Sequence, residues 1–321
     1  MQAITYTEFG PPLKVLKLTE LEKPAPKENE VLIKVAAASV NAADVHYTLG
    51  TPFIVRAEAG LRKPKNSRTG IDLAGRVEAV GASVTQFKPG DEVYGIRTGA
   101  FAEYVVKVEK TLVLKPANLT MEQAAAIPVA ACTALQGLRD KGGLQPGQTV
   151  LINGAAGGVG TFAVQIAKAL GGRVTAVTST PNVEQARALG AERVIDYKHE
   201  DFTRVGQRYD LILDNVGNRS LAALRRVLSP TGKIVMVAGP VSRMITTMVM
   251  GRLGNKSLVA FVAAVTKADL LFLKELAEAG KLTPVIERRY ALNEVPEAIR
   301  YLEAGHARGK VVIYMDGNGK A

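Results

Sequence analysis

The chain is 321 residues long, 47% hydrophobic and 22% charged, long enough for two domains with cores of their own. Its 41 lysines and arginines against 30 acidic residues leave a net charge of +11, which suits an anionic partner, yet the basic residues are scattered and no aromatic–basic string accompanies them, so they read as a solvated surface. A single cysteine, Cys132, excludes an intramolecular disulfide and a cysteine-built metal cage, and points to a reducing, cytoplasmic setting.

From Met1 to about Lys115 the chain reads as short strands and turns. Val31–Ala36 and Leu73–Val80 have strand composition, Gly81, Pro89-Gly90 and Gly95 punctuate, and Lys23–Pro26 is an extended connector. A compact, partly open β-barrel fits this pattern, with Glu58–Arg68 as a surface loop. No basic stretch leading into an apolar core opens the chain, so no signal peptide is expected.

The character changes at Met121. Thr120 and Gln123 bracket a helix start as a capping box, a second helix covers Thr133–Arg139, and strands then alternate with helices. The strands are Val150–Asn153, Val174–Ser179, Val194–Asp196, Leu211–Leu213 and Ile234–Ala238, with a sixth at Leu258–Val265. Helices fall at Pro181–Leu189, near Leu221–Leu228 and at Ala268–Ala279. Such alternation implies a parallel sheet with right-handed crossovers. The tail, Pro284–Met315, holds one helix (Pro296–Ala304) and a closing strand. The apolar run 234–250 is broken by Pro240 and Arg243, and 258–265 is too short, so no membrane span is expected.

The stretch from Thr149 to Leu170 carries the functional argument. A β-branched apolar run, Thr149–Asn153, breaks into Gly154-Ala155-Ala156-Gly157-Gly158-Val159-Gly160 and resumes at helical spacing with Phe162, Ala163, Ile166, Ala167 and Leu170. Strand, glycine turn and helix open a dinucleotide-binding unit, here with Ala155 in place of the first glycine of the fingerprint. Gly157 lets backbone approach a pyrophosphate, Gly160 lets the helix close on the strand, and the helix N-terminus offers N–H groups to the anion.

These elements together resemble the zinc-free quinone oxidoreductase branch of the medium-chain dehydrogenase/reductase family. The resemblance rests on Val40-Asn41-Ala42-Ala43-Asp44, Gly70-Ile71-Asp72-Leu73-Ala74-Gly75, Pro89-Gly90-Asp91-Glu92-Val93 and Gly99-Ala100-Phe101-Ala102-Glu103-Tyr104. The glycine turn with Gln165 and Lys168, Leu189-Gly190-Ala191, Val194-Ile195-Asp196-Tyr197 and Gly309-Lys310-Val311-Val312 complete it. It implies an α/β protein in which a GroES-like barrel, residues 1–122 and 282–321, holds a Rossmann cofactor domain, 123–281. The positions that carry catalytic zinc in related alcohol dehydrogenases align with Asn41, Ile71 and Val129, side chains that cannot build a zinc site. Cys132, beside the third position, is joined by no cysteine or histidine at the other two aligned positions and reads as a buried structural residue.

The second strand ends in Thr178-Ser179-Thr180 with no carboxylate before Glu184, which favours NADPH over NADH. Thr180 also reads as an N-cap with Pro181 at the first helical position. The resemblance puts Tyr197 near the adenosine phosphate or ring, with a half-buried packing role as the alternative. Asn215 and Val216, after the fourth strand, would border the nicotinamide side; Val237 and Ala238, after the fifth, would hold its amide through backbone groups; Lys310 would approach the pyrophosphate.

Hydride transfer to a quinone or α,β-unsaturated carbonyl is the simplest chemistry for such a site, since it needs an oriented acceptor and a donor to the carbonyl oxygen. Asn41 is the first choice for that polar contact, Tyr47 offers an O–H, and Asp44 orients either residue or caps its helix. His46 reads as exposed or structural. The alternatives are a 2-alkenal or enoyl-thioester reductase, and an NADPH-holding protein that binds RNA or membranes with little turnover. The expected partners are a small-molecule acceptor and, as the family implies, a second copy of the chain paired through Leu258–Val265, with Met244–Met250 contributing; no nucleic acid is expected.

Overall fold

The computed structural model describes residues 1–204, 206–254, 257–305 and 307–315. Contacts group Met1–Val129, Val265–Glu278 and Pro284–Ala321 into one unit, and Ala130–Ala264 with Ala279–Thr283 into a second.

The first unit is built on β1 (Gln2–Thr5), β2 (Lys17–Glu20), β3 (Glu30–Val40), β4 (Asp72–Val80), β5 (Glu92–Ile96), β6 (Tyr104–Val108) and β7 (Val113–Leu114). The second contributes β8 (Thr149–Asn153), β9 (Arg173–Thr178), β10 (Arg193–Asp196), β11 (Tyr209–Asp214), β12 (Leu228–Met236) and β13 (Leu258–Ala260). The chain then returns to the first unit with β14 (Ile286–Ala291) and β15 (Lys310–Tyr314).

β3 organises the first unit because its length serves three antiparallel partners: β6 against Glu30–Lys34, β4 against Val31–Ser39 and β15 against Ala37–Val40. Side-chain alternation sends Val31, Ile33 and Val35 into one core with Leu73, Val93 and Leu112. Ala38 and Val40 face the other core, with Ile4, Phe101, Ile299 and Ile313. The register that joins β15 to β3 fixes Lys310 beside the C-terminal end of β3.

In the second unit all six strands are parallel, in the order β10-β9-β8-β11-β12-β13. Val150, Leu151 and Ile152 of β8 are fully buried, which is why this strand reads as a continuous apolar run rather than an alternation. The order reverses between β8 and β11, the switch point at which doubly wound sheets open a crevice beyond their strand ends.

Several expected elements differ, among them the fifth strand, which runs over Leu228–Met236 rather than Ile234–Ala238. The sixth strand stops at Ala260 rather than Val265, because β13 pairs residue for residue with Ile234–Met236 and β12 ends there. The second helix starts at Pro128, whose ring fits a helix start, runs to Leu135 and continues as a wider π-type coil over Gln136–Gly142. Within Glu58–Arg68, the first residues belong to a helical turn, Arg56–Ala59. The capping box is as read: Gln123 N donates to Thr120 Oγ1 at 3.2 Å and Thr120 N to Gln123 Oε1 at 3.0 Å. Among the described residues no helix is long and apolar enough to cross a membrane.

Candidate functional site

In the second unit the glycine turn links β8 to the helix Gly158–Ala169, which starts after Gly157 with no side chain capping it. Its first N–H groups are therefore left to a ligand or to water. The two glycines differ in why they are needed. A Cβ on Gly160 would lie 2.0 Å from the Gly154 carbonyl oxygen, so the helix can close on the turn only with glycine there. A Cβ on Gly157 would meet nothing nearer than that oxygen at 3.6 Å, so packing alone does not demand this glycine. Open space above an uncapped helix start fits an approaching anion. Ala155 is buried, while Ala156, Gly158 and Val159 are partly exposed along the turn.

Across the switch point, Asn153 Nδ2 donates to Asp214 Oδ1 at 2.8 Å and to Asn218 Oδ1 at 3.0 Å. Asp214 Oδ1 also accepts from Val216 N (3.1 Å) and Gly217 N (2.9 Å), a turn that holds Val216 partly exposed. Asn215 N donates to Asn153 O at 3.1 Å, whereas both polar atoms of its side chain are buried without a partner. Val237 N and Ala238 N both turn back to Asp214 O, at 3.0 and 3.5 Å, so contact with a ligand there falls to carbonyl groups.

At the end of β9, Thr178 is buried, Ser179 half-buried and Thr180 exposed. The structure moves the cap: Ser179 precedes a 3₁₀ turn at Thr180–Asn182, and the helix proper is Val183–Ala188. Thr180 gives its hydroxyl instead to Asp196, which together with Lys198 N–H holds that carboxyl below its ordinary range. Tyr197 N donates to Thr178 O at 3.0 Å, and its side chain is 48% exposed, not packed.

In the first unit the helix Ala42–Leu49 opens with Asn41, and Asp44 at its third position accepts from Asn41 N at 2.8 Å. The cap is thus what Asp44 makes. The Asn41 side chain, 6% exposed, is engaged at both ends: Nδ2 donates to Asp72 Oδ2 at 2.9 Å, and Oδ1 accepts from Lys310 Nζ at 2.6 Å. Asp72 also accepts from Ser39 Oγ (3.1 Å) and from Val129 N (3.1 and 3.3 Å to its two oxygens). Lys310 Nζ donates to Val40 O at 3.2 Å and lies 3.9 Å from Asp72 Oδ2. The Asn41 amide has little left for an acceptor, and the Lys310 ammonium is committed to this cluster rather than presented for a pyrophosphate.

Asp72 is the residue sequence reasoning missed. Its signal was a lone carboxylate in the apolar stretch Ile71–Ala74, beside one of the positions aligned with a zinc ligand. The three aligned positions bracket this carboxylate: Asn41 and Val129 donate to it and Ile71 precedes it. Asn, Ile and Val do not suit zinc, and among the described residues no group of His, Cys, Asp and Glu is arranged to hold a metal.

Burial pushes the Asp44 carboxyl up to about 7 and Asp72 up to about 6, Lys310 holding the latter back. Burial also lowers the Lys310 ammonium, against the pull of Asp72 and Asp44. Two carboxylates around one ammonium leave an excess negative charge in a dry interior, which a proton on Asp44 removes. Tyr47, half-buried on the same helix, has its phenol raised by burial and by Glu58. His46 is exposed, with Nδ1 2.9 Å from Thr51 O. A cavity of about 630 Å³ in this unit, between Thr120–Gln123 and Arg289, contains none of the expected site residues.

Residues 27–117 match the family described as alcohol dehydrogenase GroES-like domain, and residues 189–313 the family described as zinc-binding dehydrogenase. The chain is 36% identical over 329 residues to 2-methylene-furan-3-one reductase of Solanum lycopersicum, covering 98% of this chain and 79% of that protein. It is 34% identical over 329 residues to the chloroplastic NADPH-dependent alkenal/one oxidoreductase of Arabidopsis thaliana, with coverage of 98% and 79%. Among solved structures, the quinone oxidoreductase from Coxiella burnetii aligns with a TM-score of 0.88 and 33% identity, covering 98% of this chain and 99% of that one.

Proposed function

The chain belongs to the quinone oxidoreductase branch of the medium-chain dehydrogenase/reductase family, and on that premise we propose that it reduces a quinone or α,β-unsaturated carbonyl acceptor with NADPH. One observation carries the cofactor half of this reading: Gly160 is forced by packing, whereas Gly157 leaves open space before an uncapped helix N-terminus at the switch point. Ala155 through Gly160 form the cradle for the pyrophosphate. Ser179 meets the 2′-phosphate with its hydroxyl at a strand end that has no carboxylate of its own, while Thr178 is buried beneath it and Thr180 is committed to Asp196, and Tyr197 offers an exposed ring beside them. Val216 borders the cofactor from the fourth strand, and the carbonyls of Val237 and Ala238 take the nicotinamide amide. When bound, the dihydronicotinamide supplies the hydride.

The acceptor gains that hydride on carbon and needs hydrogen bonding at its carbonyl oxygen. Tyr47 is the donor in this reading, kept protonated by burial and by Glu58. Asn41 and Asp44 act by fixing the start of the helix that carries Tyr47, and Lys310 and Asp72 fix Asn41 in turn.

The assembly in this reading is a homodimer paired through the free edge of β13. Residues 258–265 carry no charge, and Val262, just beyond β13, is 89% exposed, an apolar edge that natural sheets cover. The lone, buried Cys132 suits a cytoplasmic setting.

The test is NADPH oxidation followed at the nicotinamide absorbance with quinones, enones and alkenals, and NADH alongside. Turnover that prefers NADPH supports the reading. NADPH binding without turnover on any acceptor, together with salt-sensitive RNA or vesicle binding, favours the alternative of a binding protein.

A further inference from the structure

Three arginines of this protein pair with glutamates although their side chains are at least 60% exposed: Arg76 with Glu92 at 2.9 Å, Arg173 with Glu192 at 3.4 Å and Arg187 with Glu184 at 2.6 Å. Arg68 and Arg97 depart from this habit. Both are half-buried in the first unit, and among the described residues neither guanidinium has a hydrogen bond or an ion pair with the protein. Burial and the neighbouring Arg97 lower the Arg68 guanidinium, and no carboxylate acts against them. Lys107, half-buried on β6, is lowered by burial and by Arg97 in the same way. Cations withdrawn from water with only one another nearby are held at a cost that a bound anion removes.

Backbone pairing brings the two arginines together. Arg97 N donates to Ile71 O at 2.7 Å and Gly99 N to Gly70 O at 2.9 Å, which lays the segment after β5 along the segment before β4. Gly99 adopts φ +90°, and a Cβ there would lie 3.1 Å from Arg68 Cβ and 3.2 Å from its Nε, so the Arg68 stem crosses this glycine two residues from Arg97. The same stretch borders the helix that carries Tyr47. Tyr6 N donates to Ser67 O at 2.8 Å, and the Tyr6 phenol is pushed up to about 12 by burial and then by Asp44 and Tyr47. The Gly70 N–H faces the Asp44 carboxyl. Tyr47 itself has Glu58 beside it, and from Arg56 to Arg68 five basic residues stand against that one acid. Such a field draws anions to the end of the unit that holds Tyr47.

We infer that Arg97 and Arg68 form an oxyanion clamp at the acceptor end of the first unit, and that the acceptor carries a carboxylate or phosphate in addition to its reducible carbonyl system. Arginine suits this role because its planar fork pairs bidentately with either group. The inference rests on the acceptor reading above and adds the substrate class.

The probes are benzylideneacetone with a para-carboxylate, the same molecule as its methyl ester, and benzylideneacetone with a para-phosphate, which share one enone and differ in charge. With NADPH as donor, kcat/KM for an anionic probe should exceed that for the neutral ester by about ten-fold or more, and added salt should shrink the preference. Arg97→Gln and Arg68→Gln should each cut the ratio several-fold, and Arg97→Lys should cut it less, since it keeps the charge and loses the fork. The ratio compares two acceptors on one protein with one cofactor, so a loss of stability or of NADPH affinity does not move it. The anion with the larger preference names the group the clamp takes. Equal kcat/KM for the ester and both anions in the parent overturns the inference and leaves the acceptor reading standing, as does a preference that survives in the Arg68→Gln, Arg97→Gln double variant. Failure of the parent to oxidise NADPH with any acceptor, quinones included, overturns the acceptor reading itself, and this inference with it.

Discussion

Asn41 joins a buried cation to a buried anion: its Oδ1 accepts from Lys310 Nζ at 2.6 Å while its Nδ2 donates to Asp72 Oδ2 at 2.9 Å, and the two charges stand 3.9 Å apart. Charges this deeply buried are held by each other and by the dipoles around them, and removing one partner strands the rest. Lys310→Met should therefore cost about 3–5 kcal/mol in urea unfolding, more than a surface lysine, because Asp72 keeps its burial and loses its counter-charge. Adding Asp72→Asn should recover much of that loss. A single variant as stable as the parent, or a double variant whose losses simply add, would sink this account of the cluster.

The cluster also marks where the sequence stops being legible. The glycine turn, the Thr120 cap and the strand–helix alternation are local patterns, readable within a few residues. The Lys310–Asn41 bond spans 269 positions and exists only because β15 pairs with the end of β3, so Lys310 read as a ligand-facing lysine. Asp72 was invisible as a hub for the same reason: its partners come from β3, from residue 129 and from the far end of the chain. β13 was overextended because Phe261–Val265 has strand composition, while strand length is set by where β12 ends. Thr180 and Ser179 are both good caps, and only the position of Asp196 decides that Thr180 turns away.

The glycines of the turn allow packing and binding to be separated. Gly160→Ala puts a methyl 2.0 Å from backbone, so it should displace the turn, lower the melting temperature and abolish dinucleotide binding together. Gly157→Ala meets nothing within ordinary contact distance except an oxygen at 3.6 Å, so it should melt like the parent yet bind NADPH about ten-fold or more weakly. Calorimetry and fluorescence titration on the two variants check the contrast. Normal binding by Gly157→Ala would show that no ligand uses that space.

Stability should depend on pH through Asp44. Its carboxyl is raised from 3.8 to about 7, so between those values the folded protein keeps a proton that the unfolded chain has released. Stability from this group is therefore full below its unfolded value and is lost as pH rises through the folded one. Asp72, raised to about 6, acts with the same sign, while the depressed Lys310 acts oppositely, toward alkaline pH. Asp44→Asn is neutral throughout and still accepts from Asn41 N–H. Its melting temperature should fall less than the parent's between about pH 5 and pH 8. Parallel profiles for the two proteins would mean that Asp44 does not hold the proton.

The exposed edge of β13 gives the last prediction. That strand ends the six-stranded sheet, and beyond it Val262 is 89% exposed in a segment with no charged or proline residue to discourage pairing. Nearby, Ile245 and Val249 of the helix Val241–Arg252 are about half exposed, at 49% and 48%. A twofold axis at this edge would bring two such strands together antiparallel and let each cover the other, the self-complementary geometry of closed dimers. Val262→Lys places a charge where the pairing would run, on a side chain that is 89% exposed. Light scattering at micromolar protein should give a dimer mass for the parent and a monomer mass for the variant, with far-ultraviolet circular dichroism unchanged. A parent that is already monomeric would leave this apolar edge without a partner of its own kind, and a variant that stays dimeric would move the interface elsewhere.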